Sequence, residues 1–226
     1  MGGNQEVGIG SASRDAVRLV LLSDTHGMHR SVRAPEGDWL IHAGDFTVSK
    51  SWKEIVDFNA WLAELPHRVK ILVPGNWEFW LEADLSKRSL LSNAAVLINE
   101  RIQIEGLHIW GSPVTPLYGG AFGMSSAADR KRLYDQIPDD TDILITHGPS
   151  FGMLDCPPNS NLHVGCRELF DAVMRVKPTL HLFGHVHGAK GIVYTDSTIF
   201  VNAALLGPHG EMDKAPIVLR LSRRIE

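Results

Sequence analysis

Five short apolar runs in this chain each stop at a residue able to bind or catalyse. They cover residues 17–22, 39–42, 69–73, 143–146 and 180–183. Each is four to six residues long, rich in β-branched side chains and closed by turn formers, the pattern of a buried strand. After the first comes Asp24-Thr25-His26, after the second Gly44-Asp45, and after the third Gly75-Asn76. The fourth leads into His147-Gly148 and the fifth into Gly184-His185-Val186-His187. In α/β sheets ligands bind outside the carboxyl ends of the strands. Five strand ends carrying Asp, His or Asn are therefore expected to converge on one site.

The rest of the pattern predicts what surrounds those strands. A helical stripe of Trp52, Ile55, Val56, Leu62 and Leu65 spans 52–65, with Ser51 and Glu54 spaced as a capping box. Further helices are expected over 127–136 and over 167–176, the latter carrying Leu169, Phe170, Val173 and Met174. Runs at 95–98, 101–104 and 107–110 read as a meander, and those at 192–195, 199–202 and 217–221 repeat it. Strands alternating with helices, plus hairpins, predict a mixed-sheet α/β fold. With 44% hydrophobic residues among 226, the chain has the material for a core, which excludes global disorder. We expect a single domain over residues 17–226 behind a loose N-terminal tail, residues 1–16.

Charge and targeting signals narrow the partners. The formal net charge is -4, from 22 basic and 26 acidic side chains, so the basic excess of a nucleic-acid duplex binder is missing. No run reaches the ~18 apolar residues of a membrane helix, and residues 1–14 lack the apolar region of a signal peptide. Cys156 and Cys166 are too few for a disulfide scaffold and read as reduced thiols. A cytoplasmic protein is expected.

The residue types at the strand ends select the chemistry. Two carboxylates, one amide oxygen and four imidazoles, with no thiolate, suit Mn, Fe, Zn, Ni or Mg. Seven side chains exceed one ion's needs and fit two ions sharing a bridging carboxylate. Such pairs clamp in-line displacement at phosphorus, which points to phosphoester hydrolysis.

Here the sequence resembles the calcineurin-like metallophosphoesterases, whose signature runs D-x-H, G-D, G-N-H-[E/D], H and G-H-x-H. The matching residues are Asp24-Thr25-His26, Gly44-Asp45, Gly75-Asn76-Trp77-Glu78, His147 and Gly184-His185-Val186-His187. Within the family the chain is most similar to the metallophosphoesterase domain-containing branch, through residues 40–46, Gly111-Ser112-Pro113, Thr146-His147-Gly148-Pro149 and His163-Val164-Gly165-Cys166. The resemblance implies a four-layer α/β/β/α sandwich of two mixed β-sheets. It implies that Asp24, His26 and His187 hold one metal, that Asn76, His147 and His185 hold a second, and that Asp45 bridges them. Mn²⁺ is the expected ion. The implied activity is phosphodiester hydrolysis, cyclic nucleotides included, by attack of metal-activated hydroxide on phosphorus, with a small-molecule phosphoester or nucleotide as partner.

One position departs from the family. Trp77 stands where the signature has His, a residue described there as contacting the phosphate and assisting the leaving group. Indole offers one N–H and exchanges no proton near neutral pH. Asp45, Asn76 and Trp77 are thus the candidate catalytic positions, with His29 and His209 as candidate substitute acids. The alternative is a metal- and nucleotide-binding protein with little or no catalysis. Tyr118 and Phe122 are candidates to stack a base, Trp77 and Trp80 to form an apolar wall, Asn202 to position a loop, and Lys190 to reach a phosphate.

Overall fold

The computed structural model describes residues 6–8, 16–49, 51–116, 119–212 and 214–222. The strands are β1 (Glu6–Gly8), β2 (Ala16–Leu22), β3 (Trp39–His42), β4 (Val69–Leu72), β5 (Ala95–Val96), β6 (Glu100–Ile104), β7 (Leu107–Ser112), β8 (Ile143–Thr146), β9 (Leu180–Phe183), β10 (Gly191–Tyr194), β11 (Ile199–Asn202) and β12 (Ile217–Ser222). The α-helices are α1 (Trp52–Glu64), α2 (Phe79–Ala83), α3 (Ala127–Tyr134) and α4 (Arg167–Val176). One six-stranded sheet has the order β1-β12-β2-β3-β4-β5, the other β10-β11-β9-β8-β7-β6. Both are mixed: β2 to β5 run parallel beside an antiparallel β12, and β7, β8, β9 and β11 run parallel between antiparallel β6 and β10.

Side chains alternate across a strand, so each central strand feeds two cores. From β2, Val17, Leu19 and Leu21 point between the sheets to meet Ile109, Ile143, Ile145, Leu180 and Leu182. Val20 and Leu22 point the other way, onto Ile55, Phe58, Trp61 and Leu62 of α1. On the far side Leu144, Phe183 and Phe200 pack under Tyr134 of α3 and Leu169, Ala172, Val173 and Val176 of α4. The result is the expected α/β/β/α sandwich, and burial on both faces explains why the strands read as unbroken apolar runs. Among the described residues no helix is long and apolar enough to cross a membrane.

Several local expectations are corrected. The 95–110 region is not a meander: β5 pairs with β4 in the first sheet, whereas β6 pairs with β7 in the second. The chain changes sheets at Asn99, which takes φ +56° and accepts a hydrogen bond from Ser112 Oγ. A two-residue gap fits a crossover as well as a hairpin. Likewise β10 and β11 form a hairpin, but β12 joins the first sheet. Within the stretch read as a loose tail, β1 runs parallel to β12 and covers its edge. Helix α1 buries Phe58 and Trp61 in place of Trp52 and Val56, which are 61% and 45% exposed. Its predicted capping box is split: Ser51 accepts from Lys53 N, while Glu54 accepts from Val48 N and Ser49 N. In α4, Ala172 and Val176 are buried and Met174 is exposed.

Candidate metal centre

The loops after β2 and β3 stay tied to each other beyond the strand ends. Asp24 N donates to Gly44 O at 2.9 Å, His26 N to Asp45 O at 3.0 Å and Gly27 N to Phe46 O at 2.9 Å. To keep that ladder while aiming their side chains at one point, Asp24, His26 and Asp45 adopt positive φ of 55°, 39° and 55°, and His185 one of 67°. Non-glycine residues in this region carry a conformational cost of about 1–3 kcal/mol each, which persists where the surroundings enforce it. Gly44, at φ +105°, lies where loops from the two sheets touch: a Cβ there would sit 2.5 Å from His147 Nδ1 and 2.8 Å from Gly75 N.

All seven predicted ligands come together. Asp24 Oδ1 lies 3.3 Å from His187 Nε2, and the ring of His26 meets that of His187 edge-on at 5.3 Å. Asp45 Oδ2 lies 3.6 Å from His26 Nε2 and 3.3 Å from His147 Nε2, so this carboxylate stands between two groups. Asn76 Oδ1 completes the second group, 2.8 Å from His147 Nε2 and 2.9 Å from His185 Nδ1. Asp24, His26 and His187 thus form one triad of potential ligand atoms, and Asp45, His147 and His185 another.

The electrostatics fit cations. His147 Nδ1 lies 2.9 Å from the Ala43 carbonyl and can donate its proton there, leaving Nε2 facing Asp45 and Asn76. Burial alone would lower this imidazole, but the Asp45 and Asp24 charges outweigh it and raise it to about 10. Burial likewise pushes the Asp24 carboxyl up, and its bond to His187 with the nearby imidazoles more than reverses this, leaving it well below the carboxylate range. Two buried carboxylates thus draw positive charge into the site. His26 Nε2 is buried and makes no hydrogen bond, an orphan that an ion beside Asp24 and Asp45 would satisfy.

Glu78, which follows Trp77 in the signature stretch, has a role that the motif alone does not reveal. This fully buried carboxylate accepts from Asp45 N, Gly75 N, Phe46 N, Thr47 N and Thr47 Oγ1 at 2.6–3.1 Å, binding the β3 and β4 loops together. Burial and the neighbouring Asp45 charge raise its carboxyl to about 7, against the pull of the hydrogen bonds. An acidic residue next to a strand-end loop dense in backbone N–H groups was the available signal. His42 was missed too: it accepts from Gly44 N through Nδ1 and pairs with Thr25 Oγ1 through Nε2.

Trp77 is 40% exposed, and its ring meets His26 edge-on at 5.7 Å. Neither substitute acid joins it as expected. His29 pairs with Asp57 on α1 and packs on Phe58 and Trp61, and His209 lies on an exposed loop. Trp80 belongs to the α1 core, and Phe122 packs there as well; Tyr118 lies outside the described residues. Lys190 donates to Ala215 O. Asn202 does position loops, donating to Val186 O and Leu154 O. Beside His185 and His187 opens a cavity of about 300 Å³ walled by Pro157, Pro158, Val164, Val186 and Pro208.

Comparison with known proteins agrees with this arrangement. Residues 17–189 match the family model of the calcineurin-like phosphoesterases. Metallophosphoesterase domain-containing protein 1 of Homo sapiens is 37% identical over 230 residues, covering 90% of this chain and 71% of its own. A UPF0046 protein of Caenorhabditis elegans is 33% identical over 223 residues, covering 92% and 76%. The crystal structure of TT1561 of Thermus thermophilus shares the fold at a TM-score of 0.56 and 15% identity, over 83% of this chain and 88% of that one. The chain belongs to the calcineurin-like phosphoesterase family, and its similarity runs to the metallophosphoesterase domain-containing proteins within it.

Proposed function

We propose that this protein is a dinuclear metal-dependent phosphodiesterase. The observation that carries the reading is Asp45 Oδ2 standing 3.6 Å from His26 and 3.3 Å from His147, one carboxylate between two ligand groups. Asp24, His26 and His187 would hold one ion, and Asn76, His147 and His185 the other, with Asp45 shared. The oxygen and imidazole donors accept Mn, Fe, Zn, Ni or Mg, and the family resemblance, not the donor set, makes Mn²⁺ the ion we propose. When bound, the ions supply Lewis acidity toward phosphoryl oxygens and a water of lowered pKa.

The chain's own residues do the rest. Glu78 and the β2–β3 ladder hold the ligands in place, and the apolar cavity beside His185 and His187 accepts the non-reacting part of the substrate. Walls of Pro157, Pro158 and Val164 suit the flat face of a nucleobase, which supports a nucleotide diester, cyclic nucleotides included. Trp77 shields the His26 side of the site and holds no transferable proton, so the leaving oxygen departs as the anion when it is weakly basic, or takes its proton from water. A small-molecule substrate also fits the net charge of -4. The free thiols Cys156 and Cys166 support work in the cytoplasm.

Turnover of bis-p-nitrophenyl phosphate, p-nitrophenyl phosphate and cyclic nucleotides under Mn²⁺ tests this reading. Faster diester than monoester hydrolysis, inhibited by inorganic phosphate, is expected. Trp77 beside His26 favours one second reading, a metal- and nucleotide-binding protein without catalysis. Two bound Mn²⁺ per chain and measurable binding of a cyclic nucleotide, with no turnover of any ester, would establish that reading and overturn ours.

A further inference from the structure

A second cluster of ligand-type side chains lies on the loop between β8 and α4, outside the seven-residue centre. His163 Nδ1 is 2.7 Å from Asp155 Oδ1 and 3.4 Å from Cys156 Sγ, and Cys156 Sγ is 3.9 Å from Asp155 Oδ1. These atoms lie within 4.8 Å of one another. Asp155 is 1% exposed, and its other oxygen is taken by Gly152 N at 2.9 Å and Gly165 N at 3.0 Å. The carboxylate is therefore fixed, with Oδ1 aimed at the other two. Cys156 and His163 are part-exposed, so the cluster is open to solvent.

We propose that Asp155, Cys156 and His163 form a separate single-ion site for a thiophilic divalent cation, zinc above all. A tetrahedral Zn²⁺ with usual bond lengths sets S–N and S–O separations of ~3.5 Å and an N–O separation of ~3.3 Å. The observed triangle of 3.4, 3.9 and 2.7 Å departs from that by about half an ångström, chiefly because a proton now joins His163 to Asp155. On binding, the thiol loses its proton to solvent and the imidazole proton moves from Nδ1 to Nε2. The net result is one proton released and three protein bonds to the ion, with a fourth position for water.

A nucleophilic Cys–His pair is the competing use of such residues, and the surroundings oppose it. Burial and the Asp155 charge raise the Cys156 thiol, the reverse of what a thiolate nucleophile needs. A bound cation removes that obstacle, because coordination deprotonates a thiol outright. The two sites also differ in softness: the Asp45 centre has no sulfur, so thiolate preference sorts zinc to the loop. Pro157, Pro158 and Val164 of this loop wall the cavity beside His185 and His187, so an ion here would stiffen one wall of it.

Cobalt reads this site apart from the main one. Titrating the metal-free full chain with Co²⁺ should raise a near-ultraviolet sulfur-to-cobalt charge-transfer band that reaches its plateau within three equivalents, two of them filling the Asp45 centre. Cys156→Ser and His163→Ala should each abolish it, and Cys166→Ser should leave it. The Asp45 centre, lacking sulfur, contributes nothing to this band whatever its occupancy. No band in the wild type, or a band that survives Cys156→Ser, overturns the proposal.

Discussion

The backbone N–H of Trp77 donates to Asp45 Oδ1 at 2.9 Å, so the residue at the family's histidine position supports the shared carboxylate through its main chain. Any residue with a backbone N–H can make that bond, whatever its side chain. Replacing the indole is therefore separable from disturbing the ligands.

Trp77→His tests what the indole costs. If a general acid is missing, the variant gains on diesters with poor alkoxide leaving groups, by about 10²–10⁴ in kcat/KM. Esters of p-nitrophenol, whose leaving group needs no proton, change little. Equal effects on both substrate classes would rule out the general-acid explanation.

Glu78→Gln should loosen the centre without touching a ligand. An amide presents NH₂ where the carboxylate accepts backbone N–H groups, leaving buried donors unpaired at a cost of about 1–3 kcal/mol each. Urea unfolding of the metal-free protein should show that loss. Since Glu78 orients Asp45, Mn²⁺ affinity should fall about 10–100-fold. Unchanged affinity by calorimetric titration would remove Glu78 from the positioning role.

His181 predicts a pH dependence of stability independent of the centre. Thr146 Oγ1 spends its one proton on Gly148 O, so His181 Nε2–H donates to it, and the buried Nδ1 has no hydrogen bond. Burial holds this imidazole down to about 3. Between pH 6.5 and 3 the unfolded chain binds the proton that the native state refuses. The contribution of His181 is thus present in full above about pH 6.5 and is lost as pH falls, by about 1.4 kcal/mol per unit. His181→Phe should flatten the slope of unfolding free energy against pH by about that amount below about pH 6. Parallel slopes in the two proteins would contradict it.

Strand existence and ligand convergence were legible because both follow from local rules. Buried parallel strands need apolar runs, and a ligand at a strand's carboxyl end needs only its own loop. Long-range pairing was less readable. Nothing local to residues 95–104 shows that Asn99 carries the chain from one sheet to the other, nor that β1 extends the edge at β12. The stripe of α1 was misplaced because Trp52 and Phe58 are equally apolar, and only the sheet beneath decides which is covered. Glu78 is only half legible: Gly75 N, three positions back, is a local partner, but the N–H groups of residues 45–47 that complete its role lie 31–33 positions away in sequence.

The most direct test compares Mn²⁺-reconstituted wild type with Asp45→Asn on bis-p-nitrophenyl phosphate after metal stripping. A shared carboxylate predicts wild-type turnover that vanishes without metal and continues to rise with the second equivalent of Mn²⁺. It predicts a loss of about 10²-fold or more in Asp45→Asn, which keeps the shape and removes the charge. No wild-type turnover at any Mn²⁺ ratio, or undiminished turnover in Asp45→Asn, would contradict it.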